Sequence, residues 1–525
     1  MMVQSSFGLN SLLLFLMLMY PLLGLLWHHQ YPIYASEVML LAIAIAAIAG
    51  LISLGLGACS PLVAHLALVT LLTLVLLVHV NLLFLSLLVV FFTGLGVSFI
   101  LGEKFRLVLL AMMAALIAGA WFDSRIDIAN ASPPLTVSHE GATQGPIIHI
   151  LLDGFMSPDG LPETDEAQDL RSHTLGFFRD HDFHLFTRAY SHYGSTLDSM
   201  TRAFNFRNDS ENLFQRSVML REPMSIPQNA WFNTLGEHGY PVAVYQTESI
   251  DFCAPDDVIH CEVFTMPNLK SIRGEVRSIG TRALVLLRTI LAQSVLLNGY
   301  LQEAVGLGSW GVSAYDRRLL ASLARDVQQA PGLAFFAHVL IPHPPLVYSE
   351  DCSLDYDSEL WQRFTASTGD VGNSDESRRV RYRRYIPQAL CALRELELLF
   401  AKLREHGIYR QATIVVHGDH GSSAFNYPTI VSNKDKLTYR DLRESYSTLF
   451  AIKYPNGDFS INDQVLSLDV LMARALLRIT GKSAEELGLE APADQRPFIY
   501  LSGVMPLAKE YVNVFTRNGP DEGEP

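Results

Sequence analysis

The sequence predicts two parts in two solvents: an N-terminal α-helical transmembrane bundle, then an α/β sandwich domain with a mostly parallel central sheet. Three observations predict this. Residues 1–122 carry only Glu37, Glu103, Lys104 and Arg106 as charged side chains, so the whole formal charge of −14 falls in residues 123–525. That uncharged stretch holds five long apolar runs. Beyond residue 146, short apolar runs alternate with amphipathic stretches, the pattern of a parallel sheet flanked by helices.

The apolar runs span 9–27, 37–57, 61–80, 82–101 and 106–122. About 20 helical residues rise about 30 Å, the thickness of a bilayer core. A buried core helix explains one such run but not five in succession. The third and fourth meet at His79–Asn81, where a tight re-entrant turn would lower the count by one. The first run has no basic leader and is followed by further runs, which reads as a span rather than a cleaved signal. Lys104 and Arg106, just before the last run, mark a cytoplasmic loop. That places residues 123–525 outside a bacterial cytoplasmic membrane, with Arg125 a weak indication to the contrary. The acidic balance of the exported half excludes a nucleic-acid partner, because phosphate binding needs a basic footprint.

Residues 123–145, polar and containing Pro133-Pro134, read as a juxtamembrane linker. The second domain then runs over 146–525. Its expected strands are Ile147–Leu152, His184–Ala189, Pro241–Gln246, Leu333–Leu340, Thr413–His417 and Ser447–Lys453; its clearest helices are 170–181, 388–406 and 465–479. Residues 276–303 form an amphipathic insertion, suited equally to a membrane surface or to packing on the sheet. Residues 365–378 read as a polar loop leading into Arg378, Arg379, Arg381, Arg383 and Arg384, a solvated face or, less simply, a holder of lipid phosphates.

Of the five cysteines, Cys59 lies between spans and Cys253, Cys261, Cys352 and Cys391 lie in the exported half. Four cysteines allow three pairings, and the expected one is Cys253–Cys261 with Cys352–Cys391. Buried free thiols are the alternative; no C-x-x-C spacing supports a zinc cluster.

Four motifs carry chemistry. In Ile414-Val415-Val416-His417-Gly418-Asp419-His420-Gly421 an apolar strand runs into Asp-His-Gly, and the C-terminal end of a parallel strand is where open α/β sheets place their sites. Asp419 and His420 offer one hard and one borderline ligand to a single cation. In His149-Ile150-Leu151-Leu152-Asp153-Gly154 a second apolar strand ends in a carboxylate, which is costly to bury unless paired or metal-bound. Tyr193-Gly194-Ser195-Thr196-Leu197-Asp198-Ser199 is a small-residue turn opening a helix, whose backbone N–H groups suit an anion. Taken alone, Thr196 there reads as an N-cap. Finally, Phe336-Ala337-His338-Val339-Leu340-Ile341-Pro342-His343-Pro344-Pro345 sets two histidines around a strand end; singly, each is more often structural.

In this order, the four motifs resemble the sulfatase-like branch of the alkaline-phosphatase superfamily, and within it the membrane-bound phosphoethanolamine transferases and lipoteichoic acid synthases. The similarity covers about residues 146–505, and Ser467-Leu468-Asp469-Val470-Leu471 resembles the family's closing element. The resemblance implies an alkaline-phosphatase-like fold. It implies Asp153, Asp419 and His420 as metal ligands, and Thr196 as a nucleophile that also touches the metal. It places His338 and His343 near substrate or leaving group. Those transferases commonly have Glu where Asp153 stands. The C-x-P-x-R signature of true sulfatases is missing, since Cys253-Ala254-Pro255-Asp256-Asp257 ends in Asp and lies in the wrong part of the chain.

The expected cofactor is one divalent ion, zinc favoured, with manganese or magnesium as alternatives. The expected partners are the lipid bilayer, a membrane phospholipid as donor, and an envelope glycan or lipid as acceptor. The expected reaction transfers a phosphoethanolamine or glycerol phosphate head group through a phospho-threonine. Two alternatives stand beside it: a phosphate or sulfate ester hydrolase on the same scaffold, and an inactive lipid-binding or signalling protein.

Overall fold

The computed structural model describes residues 2–28, 31–80, 84–101, 104–129, 135, 145–206, 224–247, 250–264, 278–292, 318–344, 346, 348–353, 374–422, 424, 427, 429–487, 499–501 and 510–512. Chain contacts divide it into two compact units, residues 1–131 with 266–314, and residues 132–265 with 315–525.

The first unit opens with five helices: α1 (Met2–His28), α2 (Ser36–Gly57), α3 (Pro61–Val80), α4 (Phe84–Leu101) and α5 (Phe105–Ala129). They fall on the five apolar runs, and α3 and α4 are separate helices. Leu13, Met17, Leu68, Leu72, Leu109 and Met113 form a common apolar core. Among the described residues, Gly8–Trp27 and Ser36–Gly57 are long and apolar enough to cross a membrane, with shorter apolar stretches at Leu62–Val75 and Phe105–Ala118. The expected linker begins later than its sequence suggests, because α5 stays helical to Ala129; residues 130–134 and 136–144 lie outside the described residues.

The second unit is built on eight strands: β1 (Ile147–Leu152), β2 (His184–Phe186), β3 (Val242–Thr247), β4 (Val258–Phe264), β5 (Ala334–Val339), β6 (Thr413–His417), β7 (Phe450–Lys453) and β8 (Ser460–Asn462). Their order across the sheet is β8-β2-β7-β6-β1-β5-β3-β4. Only β7 runs antiparallel to its neighbours; β1 pairs in parallel with β5 and β6. Every residue of β1, β3 and β5 is buried, as a strand covered on both faces requires.

Among the described residues there are eight further α-helices: α6 (Asp165–Asp180), α7 (Thr196–Asn205), α8 (Ala230–Glu237), α9 (Ile279–Ala292), α10 (Arg318–Gln329), α11 (Asp375–Glu405), α12 (Tyr439–Tyr446) and α13 (Leu468–Thr480). One sheet face is covered by α7, α8 and α13, whose Met200, Phe204, Trp231, Leu471 and Met472 pack on Ile147, Leu151, Phe336 and Val415. Helices α6, α10 and α11 pack together, with α10 lying on β5 and β3. The expected fold class is therefore what the chain adopts.

Two segments depart from their sequence reading. Helix α9 neither lies on the sheet nor stands alone: it packs on α2 and α1 in the first unit, with Val285 and Leu286 buried and Arg282 3.2 Å from the buried Glu37 carboxylate. Residues 293–303 of that insertion lie outside the described residues. The polar loop at 365–378 gives way to α11 at Asp375, with Ser374 as its N-cap; 365–373 lie outside the described residues. Both expected disulfides are present, Cys253–Cys261 and Cys352–Cys391, and Cys59 is free and exposed.

Candidate active site

Strands β1 and β6 are adjacent and parallel, so their C-terminal ends deliver Asp153 and the Asp419-His420 pair to one place. The two loops interlock: the Gly154 N–H donates to Asp419 Oδ1 at 2.8 Å. Gly154 has φ +75°, a conformation that glycine adopts without strain. A Cβ on Gly421 would stand 1.9 Å from the Glu444 carbonyl oxygen, so only glycine lets this loop pass α12.

Helix α7 supplies the hydroxyl. Its N-cap is Ser195, whose Oγ donates to Asp198 Oδ2 at 2.7 Å. Thr196 is thereby the first helical residue and not the cap, and its hydroxyl is free for the site. Thr196 Oγ1 donates to Asp153 Oδ2 at 3.3 Å and lies 3.4 Å from His420 Nε2. His420 Nε2 in turn is 3.1 Å from Asp419 Oδ2 and 3.8 Å from Asp153 Oδ1.

A ligand atom from each of Asp153, Asp419 and His420 lies within 4.8 Å of the others, and all three residues are buried. The donor set fits a divalent cation on two further counts. Asp153 Oδ1 and Asp419 Oδ2 are buried without a hydrogen-bond partner among the described residues, a costly state for a carboxylate oxygen. His420 Nδ1 lies 2.7 Å from the Gly421 carbonyl, which fixes the proton on Nδ1 and leaves the Nε2 lone pair facing both carboxylates.

The electrostatics express the same demand for positive charge. Burial alone would raise the Asp153 carboxyl, but His343, His338 and His420 outweigh it and hold it well below the ordinary carboxylate range. Burial and the charge of Asp153 push Asp419 up. Burial opposes protonation of His420, yet the two carboxylates draw its affinity for a proton upward.

The two remaining candidates part company. His338 is fully buried in β5, and its Nε2 lies 3.2 Å from Asp153 Oδ2. That contact lets it orient the Asp153 carboxylate. His343 is half-buried on the following loop. Its Nδ1 lies 2.6 Å from the Pro344 carbonyl, which leaves Nε2 available. Of the arginines at 378–384, Arg378 is buried against Asp441 and Glu444, Arg381 donates to the Ala424 carbonyl, and Arg379 pairs with Glu376 at the surface.

Several supporting residues take their roles only from the structure, although Ser199 and Asp469 lie in segments that the sequence singles out. Ser199 Oγ donates to the Asp419 carbonyl at 2.6 Å and lies 2.7 Å from Ser191 Oγ, clamping α7 to the β6 loop. Tyr385 of α11 donates to the Gly154 carbonyl at 3.1 Å and accepts from the Met156 N–H at 2.9 Å, fixing the turn after Asp153. Asp469, in the Ser467–Leu471 element, lies 3.0 Å from His192 Nε2 and 3.1 Å from Arg202, bracing α7 from its other side. Beneath the site, His149 of β1 and His417 of β6 meet at 2.6 Å between their Nε2 atoms. Phe204, Trp231 and Phe336 stand edge-on around His149.

No family model matches the chain, and no curated protein matches it. Solved structures similar to it include the C-terminal periplasmic domain of EcEptC from Escherichia coli in complex with Zn, at 15% identity and a TM-score of 0.43, covering 74% of this chain and 98% of that one. The phosphonate monoester hydrolase SpPMH from Silicibacter pomeroyi is similar at 15% identity and a TM-score of 0.39, over 68% of this chain and 80% of that one. The lipoteichoic acid synthase LtaP from Listeria monocytogenes is similar at 14% identity and a TM-score of 0.37, over 72% and 82%.

Proposed function

We propose that this chain is a metal-dependent phosphotransferase of the alkaline-phosphatase/sulfatase superfamily, anchored in the bacterial inner membrane with its second unit in the periplasm. Its reaction moves a phospholipid head group, phosphoethanolamine or glycerol phosphate, onto an envelope glycan or lipid. The observation that carries this reading is the Thr196 hydroxyl at the N-terminus of α7, 3.3 Å from Asp153 and 3.4 Å from His420, beside two buried carboxylate oxygens that lack donors. The ordered motifs support the superfamily, and the apolar helices support a lipid substrate, because a head group lies at the bilayer surface where a tethered domain works.

Asp153, Asp419 and His420 would hold the ion, zinc by their mixture of oxygen and imidazole donors. When bound, a divalent cation lowers the pKa of a coordinated hydroxyl and offsets phosphate charge. The backbone N–H groups at the start of α7 bind the phosphate oxygens. Thr196 Oγ1, its proton released to solvent, attacks phosphorus in line with the ester oxygen of the glycerol backbone, and leaves again as the same alkoxide when the acceptor displaces it. The new Oγ1–P bond forms as the P–O bond to diacylglycerol breaks, giving a phospho-threonine that carries the head group. His343 Nε2 gives a proton to the departing alkoxide, then takes one from the acceptor hydroxyl as that oxygen displaces Thr196.

The test is to incubate the purified full chain with labelled phosphatidylethanolamine or phosphatidylglycerol and search for a head-group adduct on the peptide containing Thr196. An adduct from one lipid supports the nucleophile and the donor together. Diacylglycerol released over many turnovers without any acceptor, beyond the one equivalent that accompanies the adduct, or no adduct in protein that holds metal, would overturn the transferase reading in favour of hydrolysis.

A further inference from the structure

Strand β4 forms one edge of the sheet, three strand spacings or about 14 Å from β1. Its register sets His260 beside Ala243 and Glu262 beside Tyr245, so both side chains share the face covered by α10. Apolar residues are the rule in a helix–sheet interface, yet three titratable groups meet here. One ring nitrogen of His260 and a carboxylate oxygen from each of Glu262 and Asp326 lie within 4.8 Å of one another.

The carboxylates have partners. Asp326 Oδ2 accepts from the Tyr245 hydroxyl at 2.8 Å and from Arg325 Nη2 at 3.2 Å, and Oδ1 accepts from Arg325 Nε at 2.7 Å. Glu262 Oε1 accepts from Ser322 at 3.2 Å, and its Oε2 lies 3.8 Å from Arg325. The imidazole differs. His260 is only 9% exposed, and its Nε2 is buried with no hydrogen-bond partner among the described residues. Arg325 faces both carboxylates and Arg318 also acts on Glu262 electrostatically, but neither reaches His260 Nε2, and the Arg325 side chain is 52% exposed, free to withdraw into solvent.

We propose that His260, Glu262 and Asp326 form a second cation site, taking zinc or a similar borderline divalent ion and pinning the edge strand β4 to α10. One imidazole and two carboxylates are the ligand chemistry such an ion prefers. Its two positive charges balance the carboxylates when Arg325 swings away. The site does not depend on the catalytic reading, since none of its residues touches Thr196 or its neighbours.

The test uses the full chain in detergent, carrying Asp419→Asn and His420→Gln to remove the first ion, stripped with chelator and dialysed against zinc chloride. About one zinc ion per chain should bind. Adding either His260→Gln or Asp326→Asn should abolish that binding, whereas Arg325→Ala should tighten it by removing the competing cation. Zinc should also raise the melting temperature of the parent and not of the His260→Gln protein. Circular dichroism on each variant separates loss of the ion from loss of the fold. No zinc in the parent, or zinc retained by folded His260→Gln and Asp326→Asn proteins, would overturn the proposal.

Discussion

At the scale of single residues, the site turns on which hydroxyl is left without a structural duty. Ser195 caps α7 and bonds to Asp198, and Ser199 is committed to the Asp419 carbonyl. Thr196 alone points at Asp153 and His420. Thr196→Ala should therefore lower turnover by about 10³-fold or more, with an unchanged melting temperature and unchanged metal content. Thr196→Ser should recover part of the rate, which a purely structural threonine would not. A second residue-scale prediction concerns acid. Burial holds His417 at about 4, against an ordinary value of 6.5, and burial together with the charge of His417 holds its partner His149 well below that ordinary value. Between those pH values the unfolded chain binds protons that the folded chain excludes. The pair thus contributes stability that is present above pH 6.5 and lost as pH falls through about 4, about 3 kcal/mol for His417 alone. Thermal melts of metal-stripped protein between pH 7 and pH 4.5 should show this decline, and a His149→Phe, His417→Leu double variant should show a shallower one. Equal slopes in the two proteins would falsify the assignment of the acid sensitivity to this pair.

At the scale of elements, the site depends on contacts between segments far apart in sequence. Tyr385 lies in α11 but holds the turn after β1 through the Gly154 carbonyl and the Met156 N–H. Tyr385→Phe strands both buried backbone groups and should cost about 1–3 kcal/mol, together with weaker metal binding, since Gly154 also tethers Asp419. Calorimetry with and without zinc checks both effects. Such contacts explain what the sequence could and could not disclose. Asp153, Thr196 and Asp419-His420 were legible because each ends a strand or opens a helix in a recognisable local pattern, and parallel pairing of β1 with β6 brings two of those ends together. Tyr385 was not, because its partner lies 231 positions away, and Ser199 and Asp469 were visible in their motifs but not in their roles, which depend on partners 220 and 277 positions away. Edge strand β4 escaped notice for a related reason. Its polar residues His260 and Glu262 face a helix rather than water, so the alternation that marks a half-exposed strand points the wrong way. His338 could be placed at a strand end, but its burial and its contact with Asp153 could not be read from sequence.

At the scale of the whole chain, the second unit draws on segments separated by an excursion, since residues 266–314 group with the N-terminal helices. The two disulfides act on different parts of this unit. Cys253–Cys261 closes a short loop onto β4 itself, over a sequence separation of 8. Cys352–Cys391 closes a separation of 39 and ties the segment before α11 to the middle of that helix, the helix that carries Tyr385. In the chain-entropy model the first is worth at most about 2.5 kcal/mol and the second about 4 kcal/mol. Paired serine substitutions should reproduce that order: Cys352→Ser with Cys391→Ser should lower the melting temperature more than Cys253→Ser with Cys261→Ser. The longer crosslink should also bear on the site, because loosening α11 frees the Gly154 turn, so its loss should weaken zinc binding while loss of the shorter one should not. Melting curves and zinc titrations on the two double variants decide this. A larger effect from the Cys253–Cys261 pair on both measurements would show that the tie at edge strand β4, and not the α11 buttress, is what limits the stability of this domain.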